Sequence, residues 1–194
     1  MPSGLVKKFK EKKALEQLKN RDREAFIKVY DENVNDIHRF IYFKVGNHEE
    51  ANDLTSMVFL KTWNYIQNDK LESSKTLRAL LYKIARNIVI DHYREKGGKK
   101  AVSLDDEDNR IEIVDEKQDL SGDLEDKVNM ELIQEKLPLL KEEYREVVIM
   151  RFINDLSLEE ISDINGKSRG NNRVLIHRAL NALKKLVEEA RNEV

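Results

Sequence analysis

Between Leu77 and Ile88 a stripe of apolar side chains falls at positions 77, 80, 81, 84, 85 and 88. Steps of three and four put all six on one stripe of a helix, but on both faces of a strand. The same spacing recurs in Phe26, Val29, Tyr30, Val34, Ile37, Phe40 and Ile41. It recurs again in Ala51, Leu54 and Val58, with Phe59 and Trp63 four residues apart beside them. Residues 1–95 show no convincing alternation of the strand type. Each stripe must be buried against another element, so this region is expected to form a compact helical domain. Only 7 glycines and 2 prolines interrupt the 194 residues, which fits a helical chain.

The pattern breaks at "GGKK", Gly97–Lys100. The stretch that follows, "AVSLDDEDNRIEIVDEKQDLSGDLEDK", is acidic and poor in large apolar residues, and reads as a flexible linker. Its Ile111–Val114 run is compatible with a short strand. The expected fold class is all-α, with helical domains at 1–96 and 126–194 joined by an acidic linker at 97–125. In the second domain, Leu137-Pro138 separates a first helix from one over Glu142–Phe152. "SLEE" at Ser157–Glu160 fits a capping box, "NGK" at 165–167 a helix end, and Ser168 the next cap. Two helices joined by a glycine-containing turn outline a helix-turn-helix.

The formal net charge of −2 hides a strong segregation. Residues 1–100 carry +7, residues 101–126 carry −9, and residues 127–194 balance to 0. Within the last block, Gly166–Lys185 holds Lys167, Arg169, Arg173, Arg178, Lys184 and Lys185 and no acid. Just upstream, Asp155–Asp163 holds Asp155, Glu159, Glu160 and Asp163 and no base. A helix beginning with Arg169, Asn171, Asn172 and Arg173 suits the major groove, where Arg reads guanine and Asn reads adenine through paired hydrogen bonds. Later cations neutralise phosphates, and the positive end of the helix dipole faces them too. Ile176, Ala179, Leu183 and Leu186 are expected to pack the opposite face. Asn172 is the anomaly, because four residues back from Ile176 an apolar side chain is expected. Lys83, Arg86, Asn87 and Arg94 form a second basic surface, opposite the Leu80/Ile84/Ile88 stripe. Two such modules on one tether gain about 10²–10⁴ in affinity when the tether spans their sites.

Other function classes find little support. With no cysteine there is no disulfide or thiolate site, and a reducing cytoplasm fits. No apolar run approaches a signal peptide or the ~20 residues of a bilayer span, so no membrane insertion is expected. His38, His48, His92 and His177 lack zinc-ligand spacing, and neither metal nor cofactor is expected. Asp91 and His92 are helix neighbours that point apart. No nucleophile elbow, phosphate loop or carboxylate pair suggests an enzyme.

Two regions resemble a known family. "REAFIKVYDENVNDIHRFIYFKVGNHEEANDLTSMVFLKTW" and "LRALLYKIARNIVIDHYREK" are similar to the second conserved region of bacterial sigma factors of the extracytoplasmic-function (ECF) type. "LPLLKEEYREVVIMRFINDLSLEEISDINGKSRGNNRVLIHRALNALKKL" resembles their fourth region. The resemblance implies a protein that binds the clamp and flap of core RNA polymerase and directs promoter-specific initiation. It implies polymerase docking by Asp53, Leu54, Phe59 and Trp63. It implies minus-ten contacts, including capture of a flipped base, by Tyr65, Asn68, Lys70, Lys83, Arg86, Asn87 and Arg94. It implies minus-thirty-five contacts by Lys167, Ser168, Arg169, Asn171, Asn172, Arg173, His177 and Arg178. The linker resembles a segment that threads the RNA channel, and an anti-sigma inhibitor is an implied partner. Asn52 and Met57 stand where the family often has acids, Asn172 where it usually has an apolar residue, and Val174 and Leu175 where many members have small or basic ones. A stand-alone helix-turn-helix regulator, or a helical interaction module mimicking a sigma factor, remain the alternatives on residues alone.

Overall fold

The computed structural model describes residues 16–68, 76–97 and 130–192. Among these residues all regular structure is helical. The elements are α1 (Arg23–Val45), α2 (His48–Gln67), α3 (Leu77–Glu95), α4 (Met130–Lys136), a 3₁₀ turn (Leu137–Leu139), α5 (Glu142–Val148), a π turn (Ile149–Ile153), α6 (Leu158–Asn165) and α7 (Arg169–Asn192). They fall into two compact units, one built on α1–α3 and the other on the helices from Met130 onward except for Asp163–Asn165, which fall with the first. The acidic linker, its possible strand at Ile111–Val114 and Lys70 lie outside the described residues.

In the first unit α1, α2 and α3 each start with a side-chain cap. The Asp22 carboxylate accepts from the amides of Glu24 and Ala25 (3.0 and 3.2 Å), Asn47 Oδ1 from Glu50 (3.0 Å), and Thr76 Oγ1 from Ala79 (3.1 Å). Gly46 closes α1 in the left-handed region at φ 73°, its amide donating to the Tyr42 carbonyl. With Asn47 next in line, α1 ends and α2 begins within two residues. The predicted stripes meet in the core: Val29, Ile37, Phe40 and Ile41 from α1, Ala51, Leu54 and Val58 from α2, Leu77, Leu80, Leu81, Ala85 and Ile88 from α3. Thr55 and Thr62 are buried beside them, their hydroxyls donating back to the carbonyls of Ala51 (2.6 Å) and Val58 (2.7 Å). Lys44 is buried as well, its ammonium 5.4 Å from the centre of the Phe40 ring.

Both ends of α3 are tied down by polar contacts. Arg78 reaches Asp36 of α1 at 3.3 Å. At the other end Glu50 accepts from Lys96 Nζ at 2.5 Å and from His92 Nε2 at 2.9 Å, while the Tyr93 hydroxyl donates to the Lys44 carbonyl. His92 therefore partners Glu50 across the unit, not its neighbour Asp91.

In the second unit Pro138 sits in the 3₁₀ turn between α4 and α5, where its missing amide costs nothing. The helix expected over Glu142–Phe152 forms, but its last turn widens into a π turn, with the Asn154 amide bonding to the Ile149 carbonyl. Arg151 Nη1 then donates to the Leu156 carbonyl at 2.9 Å, supporting the loop that leads into α6. Leu137, Val147, Val148, Ile149, Met150, Leu156 and Ile161 are buried, as is the inner face of α7. That face runs Ile176, Ala179, Leu183 and Val187; Leu186 is only half-buried because the step of four falls on Val187.

Candidate nucleic-acid interface

The turn between α6 and α7 is built by local chemistry. Ser157 and Glu160 form the predicted capping box, with Ser157 N–H to Glu160 Oε2 at 2.8 Å and Glu160 N–H to Ser157 Oγ at 3.2 Å. Gly166 ends α6 at φ 76°, where any other residue would be strained. Ser168 Oγ then accepts from the Asn171 amide at 3.2 Å and starts α7. This turn presents Lys167, Ser168, Arg169, Asn171 and Arg173 to solvent, with His177 and Arg178 half-buried one turn later.

Asn172 does not join them. It is 0% exposed, and its Nδ2 donates to Ser162 Oγ at 3.0 Å and to the Lys167 carbonyl at 3.3 Å. The expectation that it contacts bases is corrected: its side chain is spent inside the turn. Val174 and Leu175 are half-buried. His177 Nδ1 lies 3.4 Å from the side-chain Nδ2 of Asn181.

The acidic segment upstream also finds a role. Glu159 lies 3.1 Å from Arg169, and Glu143 of α5 lies 3.7 Å from Lys167. Glu160 serves the capping box. The acids thus neutralise cations at the tip of the basic helix. Sequence reasoning marked the charge segregation but not these pairs, which need the turn geometry to bring residues ten and more apart together.

In the first unit, two expected docking residues prove to be core. Leu54 is 6% and Phe59 3% exposed, and Phe59 packs against the Tyr30 ring at 4.6 Å. Trp63 is half-buried, edge-on to Phe26 at 4.8 Å. The reason is that α2 carries more apolar residues than one stripe needs, and α1 covers the side with the aromatics. Facing solvent instead are Asp53, Met57 at 43% and Leu60 at 62% exposure. Tyr65 is half-buried near the end of α2, and exposed Asn68 donates to the Asn64 carbonyl at 2.8 Å. On α3, Asn87 and Arg94 are exposed and Lys83 and Arg86 half-buried; Arg94 lies 3.7 Å from Asp91.

Residues 29–98 match the family model described as sigma-70 region 2, and residues 130–183 that of sigma-70, region 4. The ECF RNA polymerase sigma factor SigW of Bacillus subtilis (strain 168) is 32% identical over 185 residues, covering 92% of this chain and 97% of SigW. The chain belongs to the ECF RNA polymerase sigma factors. Solved structures share its fold. CnrH, in complex with the cytosolic domain of CnrY, aligns with a TM-score of 0.68 at 18% identity, covering 92% of this chain and 97% of CnrH. RpoE of Bartonella quintana, solved with the anti-sigma factor NepR, aligns with a TM-score of 0.61 at 21% identity, covering 84% of this chain and 96% of RpoE. As a sigma factor, the protein binds core RNA polymerase and promoter DNA and acts in transcription initiation. Among the described residues of this sigma factor no helix is long and apolar enough to cross a membrane, and no cluster of His, Asp and Glu could hold a metal.

Proposed function

We propose a division of labour in which the first unit docks on core polymerase and handles the minus-ten element, while α7 reads the minus-thirty-five element. The observation that carries it is the capped start of α7. Arg169, Asn171 and Arg173 stand exposed there on a helix whose other face is locked by Ile176, Ala179, Leu183 and Val187. Arg and Asn at the first turn of such a helix suit two-pronged readout of base edges. Arg178, Lys184 and Lys185 suit phosphates. On α2, exposed Met57 and Leu60 with half-buried Trp63 form an apolar docking surface for the clamp, edged by the exposed carboxylate of Asp53; Leu54 and Phe59 support it from below. On α3, Asn87 and Arg94 with Lys83 and Arg86 grip the minus-ten element, and Tyr65 and Asn68 border the loop that takes its flipped base. Melting would draw on binding energy alone, and all chemistry would belong to the polymerase, in the cytoplasm where that enzyme works. An anti-sigma factor is the inhibitor class we propose.

The test combines the purified protein with core RNA polymerase and a library of promoters. Initiation at a distinct subset, lost when Leu60 becomes Asp and when Arg169 and Arg173 become Ala, supports the reading. No initiation from any member by the folded protein overturns it.

A further inference from the structure

We propose that Asn172 is a positioning residue for upstream-element recognition, its side-chain amide fixing the direction in which α7 leaves the turn and so the register of Arg169, Asn171 and Arg173. The proposal rests on the reading of α7 as the recognition helix. Every later position on the inner face of α7 is apolar: Ile176, Ala179, Leu183 and Val187 are all buried. An apolar side chain at 172 would continue that face at no cost in polar groups. A buried amide instead carries a desolvation penalty that its hydrogen bonds must offset. Both donors of Asn172 are engaged, and their acceptors lie on different segments: Ser162 in the last turn of α6 and the Lys167 carbonyl in the connecting turn. The same residues are bound again through the backbone. The Gly166 amide donates to the Ser162 carbonyl at 3.0 Å, and the Asn172 amide to the Ser168 carbonyl at 2.9 Å. One side chain thus ties the end of α6, the turn and the start of α7.

Apolar packing is non-directional and tolerates small rotations of one helix on another. Hydrogen bonds weaken steeply as their angles open, so they hold a helix at one angle. Two-pronged base contacts demand such precision, since readout requires side chains held to within about 0.5 Å. Asn172 sits in the same helical turn as the residues that would read. Its effect should therefore fall on which base is preferred, more than on how tightly DNA is held.

The experiment uses the full-length protein with core RNA polymerase and promoters randomised in the upstream element. The selected sequence is then compared with each of its single-base variants by transcript yield. Asn172→Leu combined with Ser162→Ala keeps the branched shape of the side chain and leaves no orphaned hydroxyl, and water can reach the Lys167 carbonyl in its exposed turn. The double variant is expected to melt close to the parent and to initiate, with base preference reduced about tenfold. Ser162→Ala alone should reduce it about threefold, and Ser162→Thr, which keeps the hydroxyl, should retain it. Unchanged preference in the folded double variant overturns the proposal. So does an equal loss on all sequences, the signature of a purely structural role. Should the double variant not fold, equal preference in Ser162→Ala and Ser162→Thr overturns it. A parent protein that initiates without any upstream base preference sinks the recognition-helix reading itself.

Discussion

Leu54 and Leu60 share one helix and one residue type, yet opposite fates are expected for their substitutions. Leu54 is in the core, so Leu54→Ala removes packed atoms and leaves a cavity, destabilising the unit by about 2–5 kcal/mol. Phe59→Ala should cost about 3–5 kcal/mol for the same reason. Urea unfolding monitored by circular dichroism measures both. Leu60 is mostly exposed, so Leu60→Asp on the proposed docking face should leave the denaturation midpoint almost unchanged while weakening core-polymerase binding at least tenfold. Loss of stability in Leu60→Asp without loss of binding would speak against the docking face. For Arg169→Ala and Arg173→Ala, a two-pronged base contact is worth about 1–3 kcal/mol, so each should lower upstream-element discrimination by tenfold or more in transcript assays. The sequence alone could not separate Leu54 from Leu60, because α2 carries apolar residues on two adjoining stripes and only its partner helix decides which is covered. Asn172 was legible as an anomaly and no further: its two acceptors lie on the turn and the preceding helix.

Among the elements, the connection from α6 to α7 was the most legible, because its signals are local. A capping box, a glycine in the left-handed region and a serine cap each act within three or four residues. Ser157→Ala should therefore cost about 0.5–2 kcal/mol in thermal or urea unfolding. Gly166→Ala should cost about 1–2 kcal/mol, and the origin would be backbone strain alone, since nothing lies within 4 Å of an added Cβ. The π turn at Ile149–Ile153 left no comparable mark, because its wider hydrogen bonds are set by how Asn154 and Leu156 pack, not by propensity. The strap joining α2 to the end of α3 was equally hidden, since Glu50 and Lys96 are 46 residues apart. Hydrogen bonds from Lys96 and then His92 hold the Glu50 carboxyl below its ordinary value of 4.5. A depressed carboxylate contributes stability that is fully present above its unfolded value. That contribution fades as pH falls through the lower folded value. Glu50→Gln should thus be less stable than the parent at neutral pH, with the gap closing below about pH 4.5. Because these groups are solvated, the gap should be small and should shrink with added salt. Unfolding curves at several pH values decide it; a gap that widens in acid would contradict the assignment.

At the scale of the whole molecule, the net charge of −2 is a poor guide to its business. What matters is where the charge sits, and the helical periodicity and block asymmetry made both the all-α class and the basic face of α7 readable in advance. Converting Lys184 and Lys185 to Ala should weaken holoenzyme binding about equally across promoters. Each lost phosphate contact should also make the slope of log K against log salt shallower by about 0.9. Filter binding over a salt series gives that slope.

The carboxylates of Glu159 and Glu143 beside Arg169 and Lys167 carry one more consequence for the proposed reader. Nucleic acid must displace a resident anion before it can claim either cation. Both ion pairs are solvent-exposed and so hold their cations weakly, and a phosphate or a guanine edge alike can offer an arginine paired acceptors in the glutamate's place. The carboxylates therefore steady two long side chains at the helix tip of the free protein, and the proposed contacts would exchange one set of acceptors for another at little cost.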